Sequence, residues 1–246
     1  MKLFLVGGAV RDYLLKRPVG HDVDFAVEAE NFDAMLVALV ARGLHVWQSR
    51  PEFVTVRGRL PVTALGDFGG VLKLDDRETV DGDFTLCRAE RMYSDKRHPS
   101  TVTPASLKVD LGRRDFTVNA VAVSEDGVWH DPHYGMADAS GRWLRTVGDA
   151  VDRFDEDPLR MLRAFRFTVT RGLDPVHAVV DACYNPALLG QLDKLPVERV
   201  REEMFGAFKH DWLRASDVLV TWYPALGKAV RATFPKLWLK ATTEDK

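Results

Sequence analysis

The order of apolar and polar positions divides the chain into a front part with strand rhythm and a rear part with helical rhythm. Leu3 to Val6 form a short apolar run that ends at Gly7-Gly8, and a helix is expected to open on that glycine turn. In the next run Asp22 and Asp24 alternate with Val23 and Phe25. Side chains alternate across a strand, so the two carboxylates share one face and the apolar pair enters a core. Asn31 is a good N-cap for Phe32, Met35, Leu36, Leu39 and Val40, which recur at helical spacing until Gly43. Residues 44–47 and 53–57 read as strands, the second setting Phe53, Thr55 and Arg57 against Val54 and Val56. Period two returns at 83–88, with Phe84 and Leu86 on one face and Asp83, Thr85 and Cys87 on the other.

Residues 89–106 read as a long mobile connection, a type that is often functional or disordered. A helix or irregular turn around Phe116 to Ala120 leads to a strand ending at Ser124, and Asp126-Gly127 makes a hairpin turn before Val128 to His130. From Asp149 the pattern is helical, with Pro158 in a first turn and Leu159, Leu162 and Phe165 to Phe167 as apolar surface. Pro175, Pro186, Pro196, Pro224 and Pro235 punctuate the remainder into short helices, and Pro196 opens one with the stripe Val200, Met204, Ala207 and Phe208. The expectation is an α+β protein with a mixed head over 1–150 and an all-helical part over 151–246, the boundary lying near 148–155.

Composition narrows this picture. A chain of 246 residues, 46% hydrophobic, can build a sizeable core, and no apolar run has the length of a signal peptide or a membrane span, which makes the cytoplasm the default. Two cysteines, Cys87 and Cys183, supply neither a disulfide framework nor a cysteine-rich zinc site and read as buried small hydrophobes. The net charge of −2 excludes a uniformly basic nucleic-acid coat, yet charge is segregated. Residues 67–83 carry six acids against Lys73 and Arg77, a local balance of −4, whereas 88–114 carry +4. That basic run suits polyphosphate or RNA backbone, and equally a solvated loop.

Three stretches carry candidate chemistry. Glycines 7 and 8 let the backbone approach a ligand, and amides opening the next helix suit a phosphate. Asp22 and Asp24 repel each other unless a hard divalent cation such as Mg²⁺ lies between them. If the 83–88 strand lies beside theirs, Asp83 becomes a third carboxylate, the bland reading being an exposed strand residue. In the run 113–120, Arg113 and Arg114 offer planar forks for phosphate oxygens. Asn119 could hydrogen-bond a ribose hydroxyl or tie down a loop, and one arginine is expected to pair with Asp115 instead. In the run 156–167, Asp157, Arg160, Arg163 and Arg166 share a helical face that could offer donors and acceptors to a base edge, the plain alternative being a surface salt bridge. The seven histidines show no metal-ligand spacing, and no GxSxG or Walker A run is present.

In order and separation, LVGGAVRDYLL, HDVDF, DFTLCR, YSDKRHP, RRDFTVNA, DPHYG and EDPLRMLRAFRF resemble the class II tRNA nucleotidyltransferase and bacterial poly(A) polymerase family, and PVERVREEM resembles its neck helix. The resemblance implies a nucleotidyltransferase head with a mixed five-stranded sheet, then a helical neck and a short body. It implies two Mg²⁺ ions on Asp22 and Asp24, a triphosphate on Gly8, Arg11, Arg113 and Arg114, and CTP or ATP read without a template by Asp157 and Arg160. Two metals would activate the 3′-hydroxyl of tRNA and stabilise leaving pyrophosphate. The retained loop at 89–106 favours addition of the full CCA over CC alone. Poly(A) or A addition is the enzymatic alternative, and an RNA- or nucleotide-binding module without catalysis is the other. The chain departs from the family at Lys16, where glycine is usual, in one extra residue before Asp22, Gly20, and in leaving room for only a short body to grip tRNA. Nothing in the sequence sets an oligomeric state.

Overall fold

In the computed structural model, the described residues are 1–20, 23–72, 78–91 and 101–237. By backbone contacts the chain divides into two units, Met1–Gly141 and Arg142–Lys246. Strand β1 (Lys2–Val6) is buried from Leu3 to Val6 on both faces, as a continuous apolar run requires. It leads into helix α1 (Gly7–Leu14), whose first residue, Gly7, is left-handed at φ 70°, the turn on which the helix opens. Strand β2 (Val23–Glu28) returns antiparallel to β1. Helix α2 (Phe32–Ala41) is capped by the Asn31 side chain, which accepts from the Ala34 amide at 2.8 Å, and buries Met35 and Leu39.

Strands β3 (His45–Arg50) and β4 (Thr55–Pro61) sit one or two residues later than the alternation suggested. Pro51–Phe53 forms a 3-10 turn, and Val54 is left-handed at φ 48°, which delays the second strand. Strand β5 (Thr79–Leu86) extends the expected 83–88 strand upstream. The flanks of the presumed mobile connection pair as a hairpin, β6 (Arg88–Arg91) with β7 (Thr101–Pro104), and 92–100 lie outside the described residues. Helix α3 (Leu107–Gly112), a 3-10 turn at Thr117–Asn119, β8 (Ala122–Ser124), β9 (Trp129–His130) and α4 (Gly135–Gly141) complete the unit, with Gly127 at φ 80° in the hairpin turn.

Among the described residues the sheet has seven strands, not five, in the order β3-β4-β5-β2-β1-β8-β9. The two-residue β9 and the largely exposed β3 extend its edges. Only β2 and β5 run parallel; the other neighbours are antiparallel. Phe25 on β2 stacks on Phe84 of β5 at 4.8 Å between ring centroids and tilts against Phe68 at 5.7 Å, locking the register of the parallel pair from its buried face.

At the end of α1 the backbone makes the paired closure of a Schellman motif, with Arg17 N–H bonded to Asp12 O at 2.8 Å and Lys16 N–H to Tyr13 O at 2.9 Å. Lys16 occupies its left-handed position at φ 56°. That conformation is the physical reason a glycine is usual there.

The second unit is predominantly helical, but β10 (Trp143–Leu144) pairs in parallel with β11 (Asp174–Pro175), so it is not all-helical. Asp149 caps α5 (Ala150–Glu156) through the Val151 amide at 2.8 Å. Helix α6 (Leu159–Arg171) ends at Gly172, φ 66°. Then follow α7 (His177–Ala182), α8 (Pro186–Leu189), α9 (Val197–His210), α10 (Trp212–Thr221) and α11 (Pro224–Thr233). Val200, Met204 and Ala207 are buried on α9, Phe165 of α6 meets Phe208 at 6.0 Å, and buried Tyr223 shares a 3.0 Å hydrogen bond with the Thr168 hydroxyl. Both cysteines are buried, and burial pushes both thiols up to about 12. Among the described residues no helix is long and apolar enough to cross a membrane.

Candidate active site

The parallel register of β2 and β5 sets Asp24 directly beside Asp83, and across β1 Asp24 faces Val6, the residue before α1. In-register neighbours on adjacent strands share a face, so the two carboxylates lie side by side as the sequence suggested. Asp22 lies outside the described residues. The Gly8 amide donates to the Asp24 carboxylate, so the anion at the start of α1 is the chain's own side chain. Gly7 makes this possible: it sits at φ 70°, and an added Cβ would lie 2.9 Å from Asp24 Oδ2.

Asp24 is exposed on its strand, yet its carboxyl stands in crowded surroundings. Loss of hydrating water raises its pKa above the ordinary carboxylate value, and the neighbouring Asp83 raises it further. Arg114, the Gly8 amide and Arg11 pull the other way without cancelling the effect. Asp83 itself is gripped from β4 by Arg57, with Nε to Oδ1 at 2.5 Å and Nη2 to Oδ2 at 2.8 Å.

A cavity of about 340 Å³ lies over this face, lined by Asp24, Thr55, Thr85, Arg88, Arg113 and Arg114 among others. Its floor includes the hydroxyl pair Thr55 and Thr85, 3.0 Å apart, and its basic side comes from the 88–114 run. A larger cavity of about 490 Å³, lined by Lys2, Phe4, Glu28 and His130 among others, contains none of the expected residues. The smaller cavity is therefore the candidate site.

The two arginines at 113 and 114 both hold to Asp110, a partner that the sequence reading did not name. Asp110 is 2% exposed and accepts from Arg113 Nη2 at 2.8 Å and Nε at 3.0 Å and from Arg114 Nη2 at 3.2 Å. Burial is the largest single influence on Asp110 and raises its pKa, but the charges and hydrogen bonds of both guanidinium groups outweigh it and leave the carboxyl below its ordinary value. Asp115 accepts from Asn119 Nδ2 at 2.9 Å and from the Phe116 amide at 2.8 Å. Asn119 in turn accepts from Arg11 Nη1 at 3.0 Å, and its carbonyl from Arg114 Nη1 at 3.2 Å. Asn119 thus ties Arg11 of α1 to the loop after α3, the second of its two expected roles. Arg114 Nε is buried and has no acceptor among the described residues, a donor left over for an anion.

In the second unit the four expected residues do not form one polar helical edge. Asp157 lies between α5 and α6 with extended backbone, φ −146°, because the residue before a proline is disfavoured in the helical region. Its Oδ1 accepts from the Leu159 amide at 3.1 Å. Arg160 bonds Glu156 at 2.9 Å and the Arg153 carbonyl at 3.2 Å, so a salt bridge on this segment runs to Glu156. Arg163 and Arg166 converge on Glu203 of α9, at 3.4 and 2.6 Å, and both guanidinium groups lie over the Phe167 ring, 5.3 and 4.6 Å from its centroid.

Arg57, Asp110, Glu156 and Glu203 are the residues that sequence reading missed. Asp110 and Glu156 stand three or four positions from their arginines, a helical spacing that signals a pair. Arg57 and Glu203 find their partners only through tertiary structure.

The donor set on β2 and β5 suits a hard divalent cation: neighbouring carboxylates, with the Asp24 pKa raised first by burial and then by the charge of Asp83. Among the described residues no group of three or more His, Cys, Asp or Glu gathers as a metal cluster, and Asp22 is not one of those residues.

Residues 3–145 match the family described as the Poly A polymerase head domain. The chain is 38% identical over 207 residues to a CCA-adding enzyme of Leuconostoc citreum (strain KM20), which covers 81% of this chain and 44% of that one. It is also 38% identical over 197 residues to the CCA-adding enzyme of Streptococcus pyogenes serotype M5 (strain Manfredo), covering 80% and 43%. Among solved structures it resembles the Bacillus stearothermophilus CCA-adding enzyme in complex with CTP (31% identity, TM-score 0.69, 88% of this chain and 47% of that one). It also resembles a tRNA nucleotidyltransferase complexed with a primer tRNA and an incoming ATP analog (27%, TM-score 0.69, 94% and 59%). The chain spans less than half the length of these curated relatives. With this match across most of its first unit, the chain belongs to the class II tRNA nucleotidyltransferase and poly(A) polymerase family.

Proposed function

We propose that the chain transfers CMP and AMP from CTP and ATP to the 3′ end of tRNA, adding or repairing the terminal CCA. The observation that carries this reading is the single cavity joining Asp24, with Asp83 beside it, to Arg88, Arg113 and Arg114. A carboxylate end and a guanidinium end in one cavity are what a metal-bound triphosphate needs. Enzymes of this kind generally use divalent metal ions, and we assign Mg²⁺ to Asp24 together with Asp22. Bound there, the metal would supply Lewis-acid activation of the 3′-hydroxyl and neutralisation of the leaving pyrophosphate.

The chain's own residues position and screen charge. Arg113 and Arg114, aimed by Asp110, hold the triphosphate. Arg11 holds the position of Asn119, and Gly7 with Gly8 fixes Asp24. As the 3′-oxygen bonds to the α-phosphorus, the bond to the pyrophosphate oxygen breaks, and the arginines carry the charge that moves onto the leaving group. Asp157, between α5 and α6, and Arg160 on α6 choose the base, with Arg163 and Arg166 further along α6. In this reading residues 1–150 are the catalytic head and 151–246 the helical neck and short body, and the location that goes with tRNA maturation is the cytoplasm.

Radiolabelled CTP and ATP offered separately to tRNA lacking C, CC or CCA test the proposal. CMP and AMP incorporation is expected; AMP alone would replace this reading with A addition. Replacing both Asp22 and Asp24 by alanine should abolish transfer while tRNA binding persists, and retained activity there would refute the assigned chemistry. Asp157→Ala should blur nucleotide choice; equal loss for all nucleotides would contradict base reading.

A further inference from the structure

We propose that Arg57 is a resident counter-cation that competes with the divalent metal for Asp83, so that metal affinity is set in part by a residue on β4. The inference rests on the metal-dependent reading above and concerns who holds the third carboxylate.

Asp83 has two neighbours in register, Asp24 on β2 and Arg57 on β4. The first repels it and the second binds it through both carboxylate oxygens, at 2.5 and 2.8 Å. A bidentate guanidinium occupies the same oxygens that a metal ion would take, so the two cations cannot both hold Asp83 fully. The pair is also placed to exchange. The side chains of Arg57 and Asp83 are 51% and 29% exposed, so a displaced guanidinium can reach water, and an ion pair this exposed is held only weakly.

The next pair along the same two strands shows the contrast. Arg59 grips Asp81 in the same fork, at 2.6 and 3.0 Å, and its guanidinium also lies 5.1 Å from the Trp47 ring centroid. The Arg57 pair has the same build but borders a carboxylate that seeks a cation, which gives it a second function: it neutralises Asp83 before metal arrives and sets how readily Asp83 joins Asp24 afterwards.

The test is titration of the full chain with Mn²⁺, without nucleotide, reading free Mn²⁺ by electron paramagnetic resonance. Arg57→Lys keeps the charge but lacks the fork, so one Asp83 oxygen is released; Arg57→Gln releases both. Both variants are expected to bind Mn²⁺ about two- to fivefold more tightly, the scale of a partly exposed ion pair. The gain from Arg57→Lys should vanish when Asp83→Asn is added. If Arg57→Gln tightens binding and Arg57→Lys does not, Arg57 acts only through its long-range field and the inference is overturned. It is overturned equally if neither changes affinity, or if the Arg57→Lys gain survives Asp83→Asn. Asp24→Asn separates the two levels: it must weaken Mn²⁺ binding in every background, and unaltered binding would sink the metal site itself and not merely the part played by Arg57.

Discussion

Asp110→Asn is the most informative single change outside the expected motifs, because it removes one charge and almost no volume from a carboxyl that is 2% exposed and holds two arginines of the cavity. Breaking a buried ion pair by neutralising one partner typically costs about 3–5 kcal/mol. Here the Arg113 and Arg114 side chains keep 27% and 20% of their exposure, so water recovers part of the loss. We therefore expect about 2–3 kcal/mol, which for a chain of this size lowers Tm by about 5–10 °C. The pH dependence has a definite sign. The folded pKa of Asp110 lies below the unfolded value, so its contribution is fully present above about pH 4 and is lost as pH falls through the lower folded value. Urea unfolding of both proteins should give a constant difference from pH 8 to about pH 5 that shrinks only below about pH 4. The same variant should raise the KM for CTP and ATP about tenfold, since arginines without a fixed acceptor lose the alignment of a charge-assisted hydrogen bond. Equal urea midpoints at neutral pH, or a stability difference already gone at pH 6, would refute the account.

Other substitutions test single geometric claims. Lys16→Gly should stabilise the protein by about 0.5–1 kcal/mol, the left-handed cost of a side chain less the extra freedom of unfolded glycine, and a lower melting temperature would count against the Schellman assignment. Gly7→Ala should reduce kcat at least about tenfold, because its Cβ would displace Asp24 Oδ2 from 2.9 Å, whereas Gly8→Ala, whose Cβ meets nothing nearer than Arg11 Nη2 at 3.7 Å, should keep the fold; similar losses in both would contradict the contact. Glu203→Gln should loosen Arg163 and Arg166 together and blur the choice between CTP and ATP in single-turnover assays; unchanged selectivity would reduce the Glu203 pairs to helix packing.

The parts legible in the sequence were those with local causes. Asn31 as a cap, the Asp126-Gly127 turn and the alternation around Phe84 each depend on residues within a few positions, and each stands where the pattern put it. The strand count went astray for another reason: the pattern marked a strand at 44–47 and a hairpin return at 128–130, where β3 and β9 stand, and the count of five came from the family resemblance instead. Asp157 shows a local rule overlooked: the helical spacing to Arg160 was counted through Pro158, although a residue before proline leaves the helix.

The site divides along the same line. Which residue types serve it was readable, because carboxylate pairs and arginine forks announce their chemistry by identity. Which residue holds which was not, because a charge chooses its partner by tertiary distance. RRD read alone sends an arginine to the adjacent Asp115, yet the buried carboxylate at Asp110 holds both guanidinium groups, since a desolvated acid gains most from two cations. Asp83 follows the same logic in reverse. Its place beside Asp24 was inferable from strand rhythm, but the hand of Arg57 on it depends on β4 lying at the other side of β5. A motif therefore names the groups that can act, and the charges around the motif decide which of them are at liberty to do so.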